Sequence, residues 1–282
     1  MEQWYSTNIR HTITRCVFVF ILLSLIYHYV SHTLLHQLQA PVFQFAFIDP
    51  MYILFSISGL SSFIVQHFWL ALFVDSCMFI GALLIILFPQ KRFLIILFSV
   101  LYFIYFVIYN LYGMHHTHIL VGILLAPLPF WASNNTTFTY LWSALRYYTL
   151  CIYSLAFFWK VFRHSLFSPD QPMAVLKDNL TPYIYFHPDT TQTALYQFFM
   201  QHPGLLYIFY LFAVAMEGFF LVGFFTRRFD HALITAGILI HIGILFFADA
   251  FFIEIFILYF SLIKFPMSAK ETHSPQAVEY TI

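Results

Sequence analysis

Apolar residues fill this chain in long blocks, roughly 16–34, 42–65, 68–88, 93–112, 117–131, 140–162, 204–225, 232–248 and 250–265. An α-helix needs about 20 residues to cross the ~30 Å hydrocarbon core of a bilayer, and most blocks approach that length. They are continuously apolar. A run such as "FIGALLIILF" lacks the period-two alternation of a membrane β-barrel. One long polar stretch, 163–203, carries five of the twelve prolines and predicts a folded cap or lid. The segment after Pro266, 267–282, is a polar tail.

Block 42–65 breaks the pattern. Its "FIDPMYILFSISGLSS" holds Asp49–Pro50, Gly59 and four serines. Irregular backbone at membrane depth survives only where protein or a cavity satisfies it. Basic residues in short loops point the same way. Arg10 with Arg15, Lys91–Arg92, Arg227–Arg228 and Lys264 with Lys270 share one side only if this block does not cross. The pattern therefore predicts an all-α polytopic integral membrane protein, with about eight transmembrane helices and one re-entrant or interfacial segment. Residues 1–266 form the membrane domain, in a bacterial inner membrane, with both termini cytoplasmic. The lid, Lys160 and the histidines of "YGMHHTHIL" then fall on the opposite side.

Composition supports the medium. Charged residues make up 9% and hydrophobic ones 61%, against about 25% charged in a globular domain. Net charge is zero, which offers no electrostatic basis for nucleic-acid binding. Cys16, Cys77 and Cys151 lie far apart without a CxxC pair. The overlapping sequons at Asn134 and Asn135 fall on the cytoplasmic side, so no glycan is expected. Phosphate-binding loops and GxSxG elbows are missing.

Candidate chemistry lies in polar residues inside apolar runs. An ionisable group at the bilayer centre costs roughly 2.5–3.5 kcal/mol on insertion scales and normally faces the protein interior. Asp75, Glu217, His241 and Glu254 are such groups, each a site residue or a helix–helix hydrogen bond; Glu254 has the further alternative of an interface position beside Asp249. Lys160 either snorkels to the headgroups or, desolvated by Phe157, Phe158 and Trp159, serves as a base. His115, His116 and His118 are open to three readings: interface histidines, metal ligands, or groups for proton transfer and anion stabilisation. HExxH and cysteine partners are missing, and no metal is assigned.

Three stretches together resemble a known family. They are "DSCMFIGALLIILFPQKRFLIILFSVLYFIYFVIYNLYGMHHTHILVGILLAPLPF", "YTLCIYSLAFFWKVFRHSLFSP" and "EGFFLVGFFTRRFDHALITAGILIHIGILFFADAFFIEIF". Their order and spacing, from about residue 66 to 260, resemble the transmembrane domain of vitamin K-dependent gamma-carboxylases, whose bacterial relatives are called HTTM proteins. The resemblance implies that His116 takes the place of a histidine steadying a reactive oxyanion. It implies that Lys160, in "YSLAFFWK", takes that of the base that deprotonates the hydroquinone, and that His241 takes that of a late intramembrane histidine. Here Phe157 replaces a glycine, His115 an asparagine, and "WASNNTTFTYLW" lacks the family's Ser-x-Asp. The large lumenal domain of the carboxylases is not among these residues.

Two functions follow. One is a carboxylase-like membrane enzyme, a lyase or oxidoreductase, in which Lys160 is the base and His116 stabilises an oxyanion. His115, His118, Glu217 and His241 would line its cavity or relay protons. An isoprenoid quinol is its implied cofactor, and an exported polypeptide its implied substrate. The other is a non-catalytic maturation or export factor for a secreted peptide or toxin, of the sporulation-delaying type, with 163–203 as contact surface. A transporter with a Glu217–His241 proton relay is a third reading.

Overall fold

A computed structural model describes residues 3–38, 54, 57–112, 126–248, 252–266 and 268–269. Among the described residues the chain is helical apart from one short strand pairing. Strand β1 (Gln3–Trp4) precedes α1 (Thr7–Val30), then come α2 (Leu60–Gln66), α3 (Phe68–Leu87), α4 (Arg92–Tyr112) and α5 (Asn135–Phe162). Helices α6 (Gln171–Phe186) and α7 (Thr191–Gln201) occupy the long polar stretch. Then follow α8 (Pro203–Phe219), α9 (Asp230–Ala248), the short α10 (Ile255–Tyr259) and β2 (Ser268–Ala269).

Local chemistry sets several boundaries. The Ser6 hydroxyl accepts from Ile9 N–H to cap α1, and Asn134 accepts from Thr137 N–H at 2.7 Å to cap α5. At the end of α1, His32 adopts a left-handed backbone (φ 56°), and Thr33 N–H returns to the His28 carbonyl. Gly59 supplies a left-handed φ of 69° immediately before α2.

Among the described residues, five segments are long and apolar enough to cross a membrane: Thr7–Gln37, Phe68–Leu87, Arg92–Leu111, Pro203–Phe224 and Asp230–Ala248. Their apolar side chains face outward to an extent water would not tolerate. Only 22% of the Pro203–Phe224 window is buried inside the protein. Exposed apolar faces of this extent suit contact with lipid. Helix α5 has the length to cross, but its polar residues keep it out of this set.

Two further predicted crossings are not among these five. Block 250–265, described from residue 252, holds a five-residue helix followed by a 3-10 turn at Phe260–Leu262 rather than one long helix. It is buried: Glu254, Ile255, Ile257, Leu258, Tyr259, Ser261 and Leu262 all lie inside the bundle. Block 117–131 is described only from 126, where a 3-10 turn runs over Leu128–Trp131. Of block 42–65 the described part holds α2.

The core is aromatic. Phe18 meets Phe98 and Phe130 edge-on at 5.2 and 5.9 Å, and Trp142 stacks on Phe138 at 5.9 Å. This cluster joins α1, α4 and α5 near one end of the bundle. Arg15 Nε donates to Ile86 O (3.2 Å) and Arg92 Nε to Trp131 O (2.9 Å) at that end, where Arg10 also reaches Ala132 O. β1 pairs antiparallel with β2 beside them, and Tyr5 N–H donates to Thr139 Oγ1 at 3.1 Å. Burial pushes the Tyr5 phenol above its ordinary pKa, while the Arg227 guanidinium facing it pulls the other way. Arg10, Arg15, Arg92 and Arg227 thus gather at one end, as the loop-charge argument requires. At the opposite end α6 and α7 bury Leu176, Leu180, Tyr196 and Phe199 against Leu206, Phe246 and Phe247 of α8 and α9.

Candidate functional site

Arg146, Tyr153 and Lys160 recur every seven residues along α5. Two helical turns advance about 10.5 Å and return to nearly the same face, so the three form one stripe. Each meets a polar partner from later in the chain.

At the end nearer the cap, Lys160 Nζ lies 2.6 Å from both Glu217 carboxylate oxygens. The Lys160 side chain is 28% exposed and that of Glu217 9%. The ammonium turns inward onto α8 rather than outward to headgroups. Close helix contact makes this possible: a Cβ added at Gly218 would meet the Phe157 ring at 3.1 Å. In the middle, Tyr153 Oη lies 2.8 Å from His241 Nε2 and hydrogen-bonds the Tyr259 hydroxyl. Phe220, three residues after Glu217, stacks flat on Tyr153 at 4.0 Å. Gly237 leaves room for Tyr259, whose hydroxyl would lie 2.2 Å from a Cβ there. His241 is 4% exposed, and its Nδ1 has no hydrogen-bond partner among the described residues. At the far end, Arg146 clasps Asp230 through Nη2 (2.6 Å) and Nε (3.2 Å), and Nη2 also donates to Gly223 O at 3.0 Å. Between the last two groups, Thr149 Oγ1 sits 3.3 Å from Ser261 Oγ.

No family model, curated protein or solved structure matches this chain. What the chain does must be argued from its own groups.

The structure brings together two sequence candidates, Lys160 and Glu217, and places His241 behind them along the same seam. His115, His116 and His118 lie outside the described residues, which take up again at Ala126 after α4 ends at Tyr112. Asp75 and Glu254 belong to a separate cluster around the end of α1. His28 bonds Glu254 through Nε2 and Thr33 Oγ1 through Nδ1 (2.8 Å). Asp75 Oδ2 lies 2.7 Å from His36 Nδ1 and accepts the His36 N–H at 2.9 Å. Tyr105 and Tyr109 set their ring edges against His28 at 5.7 and 5.1 Å. Glu254 is 3% exposed and is a buried partner of His28. Among the described residues, no group of three or more His, Cys, Asp or Glu could hold a metal ion.

Sequence reasoning missed Arg146, Asp230, Tyr153, Tyr259, His28 and His36. A signal existed for the first: an arginine in an apolar helix, seven residues from a tyrosine and fourteen from a lysine. Asp230 and Tyr259 carried no comparable mark, because only the fold brings them to α5.

Proposed function

We propose that this chain is an integral-membrane enzyme whose Lys160–Glu217 pair takes a proton from a lipid-soluble substrate. One observation carries the reading: a partly accessible ammonium held on a buried carboxylate by two 2.6 Å contacts. The ammonium and carboxylate lie within hydrogen-bond reach, so the pair acts as one unit toward a substrate proton. It is one base equivalent whichever atom holds the proton. The exposed rings of Phe158 and Trp159 flank Lys160 on α5, and an isoprenoid quinol is the lipid-soluble substrate this reading implies. Such a quinol would supply the acidic O–H, and His116, outside the described residues, would steady the anion left behind. The basic end faces the cytoplasm with both termini. Helix α5 is a further crossing, and the remaining crossings of the eight fall in part on segments outside the described residues. The site then opens toward the outer face of a bacterial inner membrane.

The test is quinol-dependent turnover, followed as oxygen uptake, by the full chain in nanodiscs. Lys160→Ala should lower it about 10²–10⁴-fold, the usual contribution of a positioned base. Glu217→Gln should lower it too; because Lys160→Ala strands the buried Glu217 carboxylate and lowers thermal stability, turnover is compared below the unfolding range of each variant, with Lys160→Ala plus Glu217→Gln as the charge-free control. Absence of turnover in the native protein, or unchanged turnover in both variants, sinks the proposal.

The cap favours a second reading, a maturation factor for an exported polypeptide. Tyr185 and Phe186, 77% and 72% exposed at the end of α6, form an aromatic contact surface. In that case deleting part of 170–195 removes partner binding, while Lys160→Ala leaves it intact.

A further inference from the structure

Helix α5 has a second face. Tyr140, Ala144, Tyr147, Leu155, Phe158 and Phe162 are all exposed and recur at three- and four-residue steps, or their sums. A position two residues from a seam residue stands about 200° round the helix, so Ala144, Cys151 and Phe158 lie opposite Arg146, Tyr153 and Lys160. None of these outward residues is charged. Tyr140 and Trp159, both exposed, are nineteen residues apart, or about 29 Å along the axis. That matches the ~30 Å hydrocarbon core, at whose two boundaries tyrosine and tryptophan settle. Arg163 follows one turn after Trp159, about 6 Å further along. The headgroup layer is about 5–7 Å deep on each side, so this residue stands among lipid phosphates. Its guanidinium stacks on the Trp159 ring, 4.3 Å from the centroid, and no carboxylate pairs with it among the described residues. Stacking takes up the flat side of the guanidinium and leaves its N–H edge free. The charge of neighbouring Lys160 is already matched by Glu217.

We propose that Arg163, steadied by Trp159, holds the phosphate of a phospholipid in the leaflet on the cap side, with an acyl chain lying along Phe158 and Leu155. The guanidinium fork meets the phosphate oxygens, and the outward face below it takes the chain. Phe158 and Phe162 stack at 6.2 Å and make the upper part of that face one aromatic wall. A single guanidinium competes poorly with water for dissolved phosphate. The apolar face supplies the rest of the binding, and only a lipid can use it. The inference takes α5 as a crossing, as the functional reading does, but needs no chemistry at Lys160. Loss of lipid binding with turnover intact would sink this site alone, and the converse would sink only the enzyme.

The experiment titrates full-length protein in detergent with dioleoylphosphatidylglycerol and resolves the bound lipids by native mass spectrometry. Native protein should hold one lipid more tightly than the rest. Arg163→Gln should weaken that lipid about tenfold, the loss of one charge-assisted hydrogen bond. Arg163→Lys should recover only part, because an ammonium keeps the charge without the planar fork. Dioleoylglycerol, with the same chains and no phosphate, should bind native protein no better than the phospholipid binds Arg163→Gln. Millimolar inorganic phosphate should leave the phospholipid in place. Equal affinity in native protein and Arg163→Gln, equal binding of dioleoylglycerol, or displacement by inorganic phosphate overturns the proposal.

A second measurement needs no change at Arg163. Full-length protein is placed in phosphatidylglycerol vesicles whose acyl chains carry bromine either near the headgroup or near the chain end. Trp159 emission is taken as the difference between native and Trp159→Phe protein. Bromine near the headgroup should quench it more strongly. Stronger quenching from the chain end would set Trp159 too deep for Arg163 to reach a phosphate. Quenching by aqueous acrylamide and by neither lipid would set this face against water or a polypeptide. Either result overturns the site.

Discussion

Breaking the buried Arg146–Asp230 pair from either side should give unequal losses, and the structure sets the order. The two side chains are 3% and 0% exposed. Removing one partner of a buried pair strands a charge and typically costs about 3–5 kcal/mol. Arg146→Met leaves Asp230 with a substitute: Arg227 Nε already stands 3.7 Å from Asp230 Oδ2, on a side chain 39% exposed that can close in. That variant belongs near 3 kcal/mol, the low end of the range. Asp230→Ala leaves the Arg146 guanidinium with only the carbonyls of Gly223 and Thr226, at 3.0 and 3.5 Å. It also removes the acidic first residue of α9, a favourable helix-dipole contact worth about 0.3–1 kcal/mol. This variant belongs at about 5 kcal/mol. At roughly 2–4 °C per kcal/mol, the apparent Tm should fall by about 6–12 °C in the first and about 10–20 °C in the second. Thermal unfolding in detergent, read by tryptophan fluorescence, measures both. The double variant Arg146→Met with Asp230→Leu should be more stable than Asp230→Ala alone, because no charge is left buried. Equal single losses, a reversed order, or a double variant that simply adds the two would refute this account of the pair.

His28→Ala should cost about 3–5 kcal/mol by stranding Glu254, and adding Glu254→Gln should recover part of it; no recovery means that the pair does not carry the loss. Gly237→Ala should cost about 1–3 kcal/mol through its clash with Tyr259, and a smaller loss in a Tyr259→Phe background would identify the hydroxyl as the obstacle. Impermeant thiol reagents should label cysteines placed at Lys91 and Arg228 from one face of the membrane and a cysteine at His164 from the other, whereas opposite labelling of 91 and 228 would break the shared basic end.

The fold was legible where one residue's chemistry suffices. Long apolar runs gave α1, α3, α4, α8 and α9, because each is lipid-facing over much of its surface and its pattern need not match a distant partner. The gathering of Arg10, Arg15, Arg92 and Arg227 at one end was legible from loop charges alone. Block 250–265 was not: composition cannot separate an apolar segment that spans lipid from one that lies folded inside protein. In the candidate site, Glu217 and His241 declared themselves as ionisable groups in apolar runs. Their partners did not, since Tyr153 and Tyr259 read as ordinary membrane aromatics until the bundle sets their hydroxyls together. His28 hid for a similar reason. It ends an apolar helix, where a histidine usually signals only an interface, and Glu254 lies 226 residues further on.

Helix α5 has a consequence for biogenesis. Arg146 and its neutralising Asp230 are separated by 84 residues, so the ribosome delivers the cation first. At about 5–20 residues per second, roughly 4–17 s pass before Asp230 is made. During that interval α5 carries an unmatched arginine, which disfavours its transfer into lipid by about 2.5–3.5 kcal/mol. Arrival of α9 removes that penalty by pairing Arg146 with Asp230, so α5 gains from entering together with α8 and α9. The order of synthesis thus makes the last third of the chain the step that commits the bundle to the bilayer.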